Sequence, residues 1–230
     1  MSPLLEIAVT APTAAATALA LGADRVELCS ALELGGVTPS QALLEAALEA
    51  GGETHVLVRS RPGDFVYAAD EVELMRREAR AVVRAGAAGV VIGALTPAGE
   101  LDLEAIAAIA DAAREARSDV QITVHRAIDA SADPVRCAAA LATSPLAPTR
   151  LLTSGGAEAV GDALDVVRAM VAAAGPVQVM AGGGVTPAVI PALLGVGVAA
   201  VHLSAKRTVR EHWELDPAVA AAARAGVTAG

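Results

Sequence analysis

Short apolar runs alternate along the chain with longer stretches in which apolar residues recur every three or four positions. The runs are typical of parallel strands buried on both faces, and the periodic stretches are typical of amphipathic helices. The predicted strands are Leu4–Val9, Arg25–Cys29, His55–Ser60, Gly89–Gly93, Val120–His125, Arg150–Thr153, Val177–Ala181 and Ala200–Ser204. Eight strands that alternate with helices predict a closed (β/α)8 barrel.

The helical stretches are rich in Ala, Leu, Glu and Arg, and they are predicted at Thr13–Leu21, Pro39–Ala50, Asp70–Ala85, Asp102–Arg117, Asp133–Ala142, Glu158–Ala174 and Pro187–Leu194. Thr38-Pro39, Asp133-Pro134 and Thr186-Pro187 each place a capping residue before a proline, which is a helix-start signal.

No break in composition divides the chain, so we expect a single TIM-barrel domain over residues 1–230. A loop with His212 and Trp213 would precede a closing helix at Asp216–Ala225 and a loose tail. An open doubly wound sheet is the alternative, but no GxGxxG follows the first strand.

The composition limits the classes of partner and the cellular location that we expect. Hydrophobic residues make up 54% of the 230 positions with one Phe, one Tyr and one Trp, so the core must be aliphatic. A net charge of −9 argues against nucleic acid or an anionic membrane surface as a partner. Cys29 and Cys137 are far apart without CxxC spacing, and no secretory signal or membrane span is visible. We therefore expect a cytoplasmic protein.

Ionisable side chains fall at positions where a barrel kept only for stability would carry Val, Ile or Leu. Inward side chains alternate along each strand, and the active site of such a barrel lies at the carboxyl-terminal mouth. The predicted inward set near that mouth is Glu6, Glu27, Cys29, Arg59, His125, Thr153, His202 and Ser204. This set predicts a functional site at the mouth.

Five of these residues are candidate catalytic residues: Glu6, Glu27, Arg59, His125 and His202. Glu27 and Arg59, on neighbouring strands, would form either a buried ion pair or part of a reactive site. Glu6 and His202 become neighbours when the barrel closes, so the carboxylate would either fix the imidazole, take part in acid/base chemistry or support a metal. His125 would serve either structure or catalysis.

Loops at the predicted mouth suggest anion binding. The loop after strand three carries Arg61 and Asp64 and would act as a lid, an anion clamp or a plug. Glycine-rich turns follow strands six and seven; they would bind phosphate or carboxylate through backbone N–H groups, or would only form tight turns. The candidate substrate-binding residues are Arg61, Asp64, Thr153, Ser154, Gly155, Gly182, Gly183, Gly184 and Ser204.

Seven strand-end motifs carry a resemblance that covers nearly the whole chain: GADRVELC, GGVTPS, RSRPGDFVY, VHRAID, RLLTSGG, MAGGGV and VHLSA. In this order and spacing they resemble the CutC family, called copper homeostasis proteins. The resemblance implies a cytoplasmic TIM barrel, a homo-oligomer and copper binding, with Cu(I) as the candidate ion. It makes Cys29 the candidate copper ligand. Family members often also have a cysteine directly after the first strand's LEI, where this chain has Ala8 and Val9.

Two functions remain open. The first is copper handling through Cys29, since Cu(I) favours thiolate and thioether ligands. The second is an enzyme that holds a small anionic or sugar-like substrate with arginines and glycine loops, and moves protons with the inward carboxylates and histidines. Schiff-base chemistry would need Lys206, the only lysine in the sequence.

Overall fold

A computed structural model describes residues 2–229. Eight parallel strands form a closed barrel in sequence order: β1 Leu4–Val9, β2 Arg25–Leu28, β3 Glu53–Leu57, β4 Gly89–Ile92, β5 Gln121–Val124, β6 Arg150–Thr153, β7 Gln178–Ala181 and β8 Ala200–Leu203. The pairing of β8 with β1 closes the barrel and places Glu6 beside His202. The predicted TIM (β/α)8 barrel is confirmed.

The helices are α1 Pro12–Ala20, α2 Gln41–Leu48, α3 Ala69–Ala85, α4 Leu103–Ala116, α5 Pro134–Thr143, α6 Leu164–Ala173, α7 Ile190–Gly195 and α8 Pro217–Ala229. Helix α8 continues past the predicted end at Ala225, because Val227 is buried in the core. Of the predicted tail, Gly230 lies outside the described residues. No helix among residues 2–229 combines the length and the apolar character needed to cross a membrane.

The three predicted helix starts differ in outcome. Asp133 caps α5 as predicted, since its side chain accepts a hydrogen bond from the Arg136 amide at 3.0 Å. Helix α2 is capped by Ser40 instead of Thr38. The Thr38 hydroxyl accepts a hydrogen bond from the Arg59 amide at 2.9 Å, so it braces the loop after β3. Helix α7 begins at Ile190, after the predicted start at Pro187.

A β-hairpin occupies the segment that was predicted to be a loop with His212 and Trp213. Strands β9, Lys206–Val209, and β10, His212–Leu215, pair antiparallel. The Lys206 ammonium lies 3.1 Å from the centre of the Trp213 ring, which adds a cation–π contact across the hairpin. The hairpin follows β8 directly, so it extends the wall at the carboxyl-terminal mouth.

The apolar core divides into three parts. The largest lies between the barrel and the helices and contains the outward residues of the strands, such as Ile7, Val26 and Val124. Inside the barrel there are two smaller clusters: one contains Cys29, Leu57 and Val91, and the other contains Leu152, Met180 and Ala200. Buried polar and charged side chains occupy other parts of the barrel interior.

Candidate active site at the barrel mouth

A cavity of about 560 Å³ opens at the carboxyl ends of the strands. Its lining includes eight predicted mouth residues: Glu27, Cys29, Arg59, His125, His202, Ser204, Gly183 and Gly184. Phe65, Arg126 and Lys206 also line it. Most of the inward residues predicted from strand alternation are therefore gathered at one opening.

Four charged side chains on three adjacent strands contact one another in series, and we call Arg25, Glu6, His202 and Glu27 the charge chain. The register places Glu6 opposite both Arg25 and His202. Arg25 Nε donates to Glu6 Oε2. The other Glu6 oxygen lies 2.7 Å from His202 Nδ1, and His202 Nε2 lies 3.3 Å from Glu27 Oε2. The charge chain thus runs from the closed interior to the cavity.

Burial and neighbouring charge separate the pKa values of the two carboxyl groups. Burial raises the pKa of Glu27 to about 7, and the charge of His202 opposes this shift only in part. For Glu6 burial acts in the same direction, but the hydrogen bond from His202 and the charge of Arg25 outweigh it and hold the pKa well below its usual range. Burial alone would lower the pKa of His202, but the Glu27 charge and the Glu6 hydrogen bond raise it.

Arg59 does not form an ion pair with Glu27, which was one of the two predicted alternatives for these residues. Its Nη1 donates to the Gly36 carbonyl at 3.0 Å and its Nη2 to the Gly63 carbonyl at 2.7 Å. These carbonyls hold the guanidinium at the cavity wall and leave the Glu27 carboxyl to His202. The arginine therefore joins two loops at the mouth.

The structure does not bring Arg61 and Asp64 to the cavity. Arg61 lies 2.5 Å from Glu71 Oε1 and 3.1 Å from Asp64 Oδ1, and it donates to the Val66 carbonyl at 2.8 Å. These contacts order the loop after β3 internally. Of this loop, Arg59 and Phe65 reach the cavity.

Thr153 faces helix α6 rather than the barrel interior, contrary to the predicted orientation, because its hydroxyl lies 3.4 Å from Met170 Sδ. The inward position on β6 belongs to Leu152. Ser154 and the start of the following glycine turn are held by Asp129, which accepts from the Ser154 amide at 2.8 Å and the Gly156 amide at 3.3 Å. This turn is braced from within.

The glycine turn after β7 has two different roles. Gly182 faces the interior, and a Cβ there would lie 2.5 Å from a Leu152 methyl group, so close packing requires glycine. Gly183 and Gly184 have φ of 94° and 64°, which only glycine adopts without strain, and they line the cavity. The turn brings main chain, without side chains, to the mouth.

Cys29 lies in an apolar cluster with Leu57 and Val91, and burial raises the pKa of its thiol well above the usual value. Cys137 is buried on α5, away from the mouth. The described residues that could hold a metal are Glu6, Glu27 and His202, whose ligand atoms all lie within 4.8 Å of one another.

Sequence reasoning missed Arg25 and Arg126. Arg25 lies two residues before Glu27 on the same strand, so the alternation that identified Glu27 also places Arg25 inward. Arg126 leaves β5 next to His125 and donates to Ser154 Oγ at 3.0 Å and to Asp129 at 2.9 Å. Nothing in its local sequence distinguishes it from a surface arginine.

Gly93, directly after β4, makes room for His125. A Cβ at this position would lie 2.5 Å from the imidazole Nδ1, whereas the backbone itself is unstrained. We expect Gly93→Ala to lower the free energy of unfolding by about 1–3 kcal/mol, because His125 must move within a packed wall. Urea denaturation measures the change.

Gly195→Ala is the matched control. It lies in helix α7, and nothing stands within 4 Å of the added Cβ. We expect this variant to be unchanged or more stable by up to about 1 kcal/mol. Equal effects of the two substitutions would contradict the packing role of Gly93.

Comparisons with known proteins agree with this architecture. The model of the CutC family matches residues 3–207. A Xanthomonas campestris protein named family protein CutC is 42% identical over 208 residues, which are 89% of this chain and 84% of the relative. A Sinorhizobium medicae protein of the same name is 41% identical over 204 residues, 87% and 80% of the two chains. A crystal structure described as a copper homeostasis protein CutC, from Streptococcus agalactiae, has a TM-score of 0.78 and 28% identity and covers 89% of this chain and 99% of its own. The chain therefore belongs to the CutC family.

Proposed function

We propose that this protein is an enzyme that moves a proton on a small anionic substrate at the barrel mouth, with Glu27 as the group that exchanges the proton. The observation that carries the proposal is the charge chain, which ends at a carboxyl group on the cavity wall. A pKa of about 7 lets the Glu27 carboxyl both accept and release a proton near neutral pH.

His202 supports this exchange from behind Glu27. Its raised pKa favours the imidazolium form, which Glu6 fixes in place at 2.7 Å. A fixed positive charge 3.3 Å from Glu27 stabilises the carboxylate, while burial favours the neutral acid. The opposition of the two effects keeps both protonation states accessible.

The substrate is proposed to be anionic because cations surround the cavity in an otherwise acidic protein. Arg59, Arg126 and Lys206 line it, although the whole sequence carries a net charge of −9. Such a local field attracts a small anion. The cavity volume of about 560 Å³ suits a small molecule.

Proton exchange with solvent tests the proposal. The protein is incubated in D2O with a panel of small carboxylates and phosphate esters that carry a carbonyl group, and 1H NMR follows the protons next to the carbonyl. We expect at least one compound to lose such a proton signal in the presence of the protein and to keep it in buffer alone. Retention of every signal across the panel would contradict the proposal.

Copper binding is the second candidate, supported by the grouping of Glu6, Glu27 and His202 and by the description of the S. agalactiae structure. The residues do not fit a Cu(I) site. Cu(I) favours thiolate and thioether ligands, but the lone mouth thiol of Cys29 is buried among aliphatic side chains with a raised pKa. Both His202 nitrogens already face carboxylates.

A cytoplasmic location and a homo-oligomer remain proposals carried by the family resemblance.

A competition titration with a Cu(I) chelator separates the two candidates. We expect weak binding that Cys29→Ser changes by less than about threefold, since the buried thiol supplies no thiolate. Cys137→Ser, which alters the other buried thiol, is the control. Tight, stoichiometric binding that only Cys29→Ser removes would establish Cys29 as a ligand and make copper handling the function.

A further inference from the structure

Two buried nitrogen atoms at the cavity have no hydrogen-bond partner among residues 2–229: His125 Nε2 and Arg59 Nε. Both side chains line the cavity, and each residue is 5% exposed. We call these two nitrogens the donor pair. A buried polar group without a partner is costly, so such groups at a cavity wall indicate where a ligand atom binds.

His125 presents an N–H to this position. The Ala127 amide donates to His125 Nδ1 at 3.1 Å, so Nδ1 holds a lone pair and the proton of the neutral ring lies on Nε2. Burial and the nearby Arg59 charge lower the pKa of His125 to about 3, which keeps the ring neutral. His125 Nε2 is therefore a hydrogen-bond donor and not a proton acceptor at neutral pH.

Arg59 Nε is the guanidinium nitrogen without a partner in the described part of the chain. The Gly36 and Gly63 carbonyls each accept one N–H of a terminal nitrogen, so Nη1 and Nη2 are anchored while Nε–H is unpaired there. Arg59 follows β3 and His125 follows β5, and a donor from each suits one oxygen atom with two lone pairs.

We propose that the donor pair binds the carbonyl oxygen of the substrate, which makes the substrate class a small anionic carbonyl compound with a proton on the adjacent carbon. The Glu27 carboxylate takes that proton, the electrons of the C–H bond form a C=C bond, and the carbonyl oxygen becomes an enolate oxygen. The donor pair stabilises the negative charge that develops there. Return of the proton from Glu27 to carbon reverses the step. The inference rests on the proposed function, because it assigns the base to Glu27.

Phe65 covers the donor pair. The centre of its ring lies 5.1 Å from that of His125 and 4.8 Å from Arg59 Cζ, and both donor nitrogens are shielded from solvent. The main chain at Phe65 is anchored, since its carbonyl accepts from the Leu95 amide at 2.8 Å. A substrate oxygen would therefore reach the donor pair by displacing the Phe65 side chain.

Binding of oxalate tests the donor pair, because this planar dianion resembles an enolate and needs no turnover. Isothermal titration calorimetry compares the wild type with His125→Phe, His125→Gln and the control His212→Phe, which alters a surface histidine. We expect His125→Phe to weaken binding about tenfold or more, since a donor to a charged oxygen is lost. His125→Gln keeps an N–H near the Nε2 position and stays within about threefold of the wild type, as does the control.

A second measurement covers the case in which His125→Phe fails to fold. Long-range 1H–15N NMR of the wild type is expected to show a neutral His125 with its proton on Nε2, and the Nε2 resonance is expected to shift when oxalate is added. Protonation on Nδ1, a His125 signal unmoved by bound oxalate, or oxalate affinity unchanged in folded His125→Phe would overturn the inference. Tighter, His125-dependent binding of inorganic phosphate would also overturn it.

Oxalate binding and proton exchange fail separately. Glu27→Gln is expected to retain oxalate binding to a folded protein while losing exchange. If His125→Phe binds oxalate as tightly as the wild type while the wild type still exchanges protons, only the carbonyl-oxygen subsite is rejected. Normal oxalate binding without any exchange would reject the proposed function and leave the donor pair as a ligand site.

Discussion

Replacement of Glu27 by glutamine is expected to reduce proton exchange by about a hundredfold to ten-thousandfold, the usual contribution of a general acid or base. Glutamine keeps the size of the side chain and its place on β2 but accepts no proton. In the wild type, the exchange rate is expected to rise with pH through about 7, because the Glu27 carboxylate forms in that range. NMR exchange rates measured across this pH range check both the loss and the profile.

The reduced proton exchange of Glu27→Gln has to be distinguished from an effect of unfolding. Burial raises the pKa of Glu27 from 4.5 to about 7. The folded protein therefore becomes less stable as pH rises through this window, because the buried carboxyl group has to ionise. Glu27→Gln removes that loss and should be at least as stable as the wild type at pH 8. Glu33→Gln, at an exposed carboxylate on the segment after β2, is the control and should exchange normally. Normal exchange by folded Glu27→Gln would exclude Glu27 as the proton carrier.

Glu6→Gln is expected to lower the free energy of unfolding by about 3–5 kcal/mol, the range for a buried ion pair that loses one partner. Arg25 is 1% exposed, and beyond Glu6 its Nη2 faces Met180 Sδ at 3.2 Å, a weak acceptor. The substitution therefore leaves a buried positive charge without the carboxylate that accepts its hydrogen bond. Urea denaturation at pH 7 measures the change.

The dependence on pH gives an internal check of this assignment. The pKa of Glu6 lies below its usual value, so the stability that its carboxylate contributes is present above about pH 4.5 and is lost as pH falls through the folded-state pKa. The gap between the wild type and Glu6→Gln should therefore narrow in acid.

Two further variants test whether the destabilisation by Glu6→Gln comes from its buried ion pair with Arg25. Glu73→Gln removes an exposed carboxylate that pairs with Arg76 and Arg77 on α3, and it should cost no more than about 1 kcal/mol. Combining Glu6→Gln with Arg25→Met removes the stranded charge and should recover part of the loss. A double variant that is destabilised by the full sum of both single changes would show that the charges do not interact.

Strand alternation predicted much of the site because it is a local rule. Glu27, His125 and His202 lie at inward positions near strand ends, and they do reach one cavity. The rule was misapplied on β6, where the short strand gives few positions to fix the phase, so that Thr153 was placed inward instead of Leu152.

The sequence by itself determined the repeated strand and helix pattern, the barrel and the residues available at its mouth, since periodicity and strand direction are local properties. Only the tertiary structure decided which charges meet. The parallel register puts Glu6 between Arg25 and His202, and the loops supply the carbonyls that draw Arg59 away from Glu27. Apart from Arg59 with Gly63, these pairings join residues 19 or more positions apart, and they depend on distances within about 3 Å that side-chain contacts in the folded barrel set.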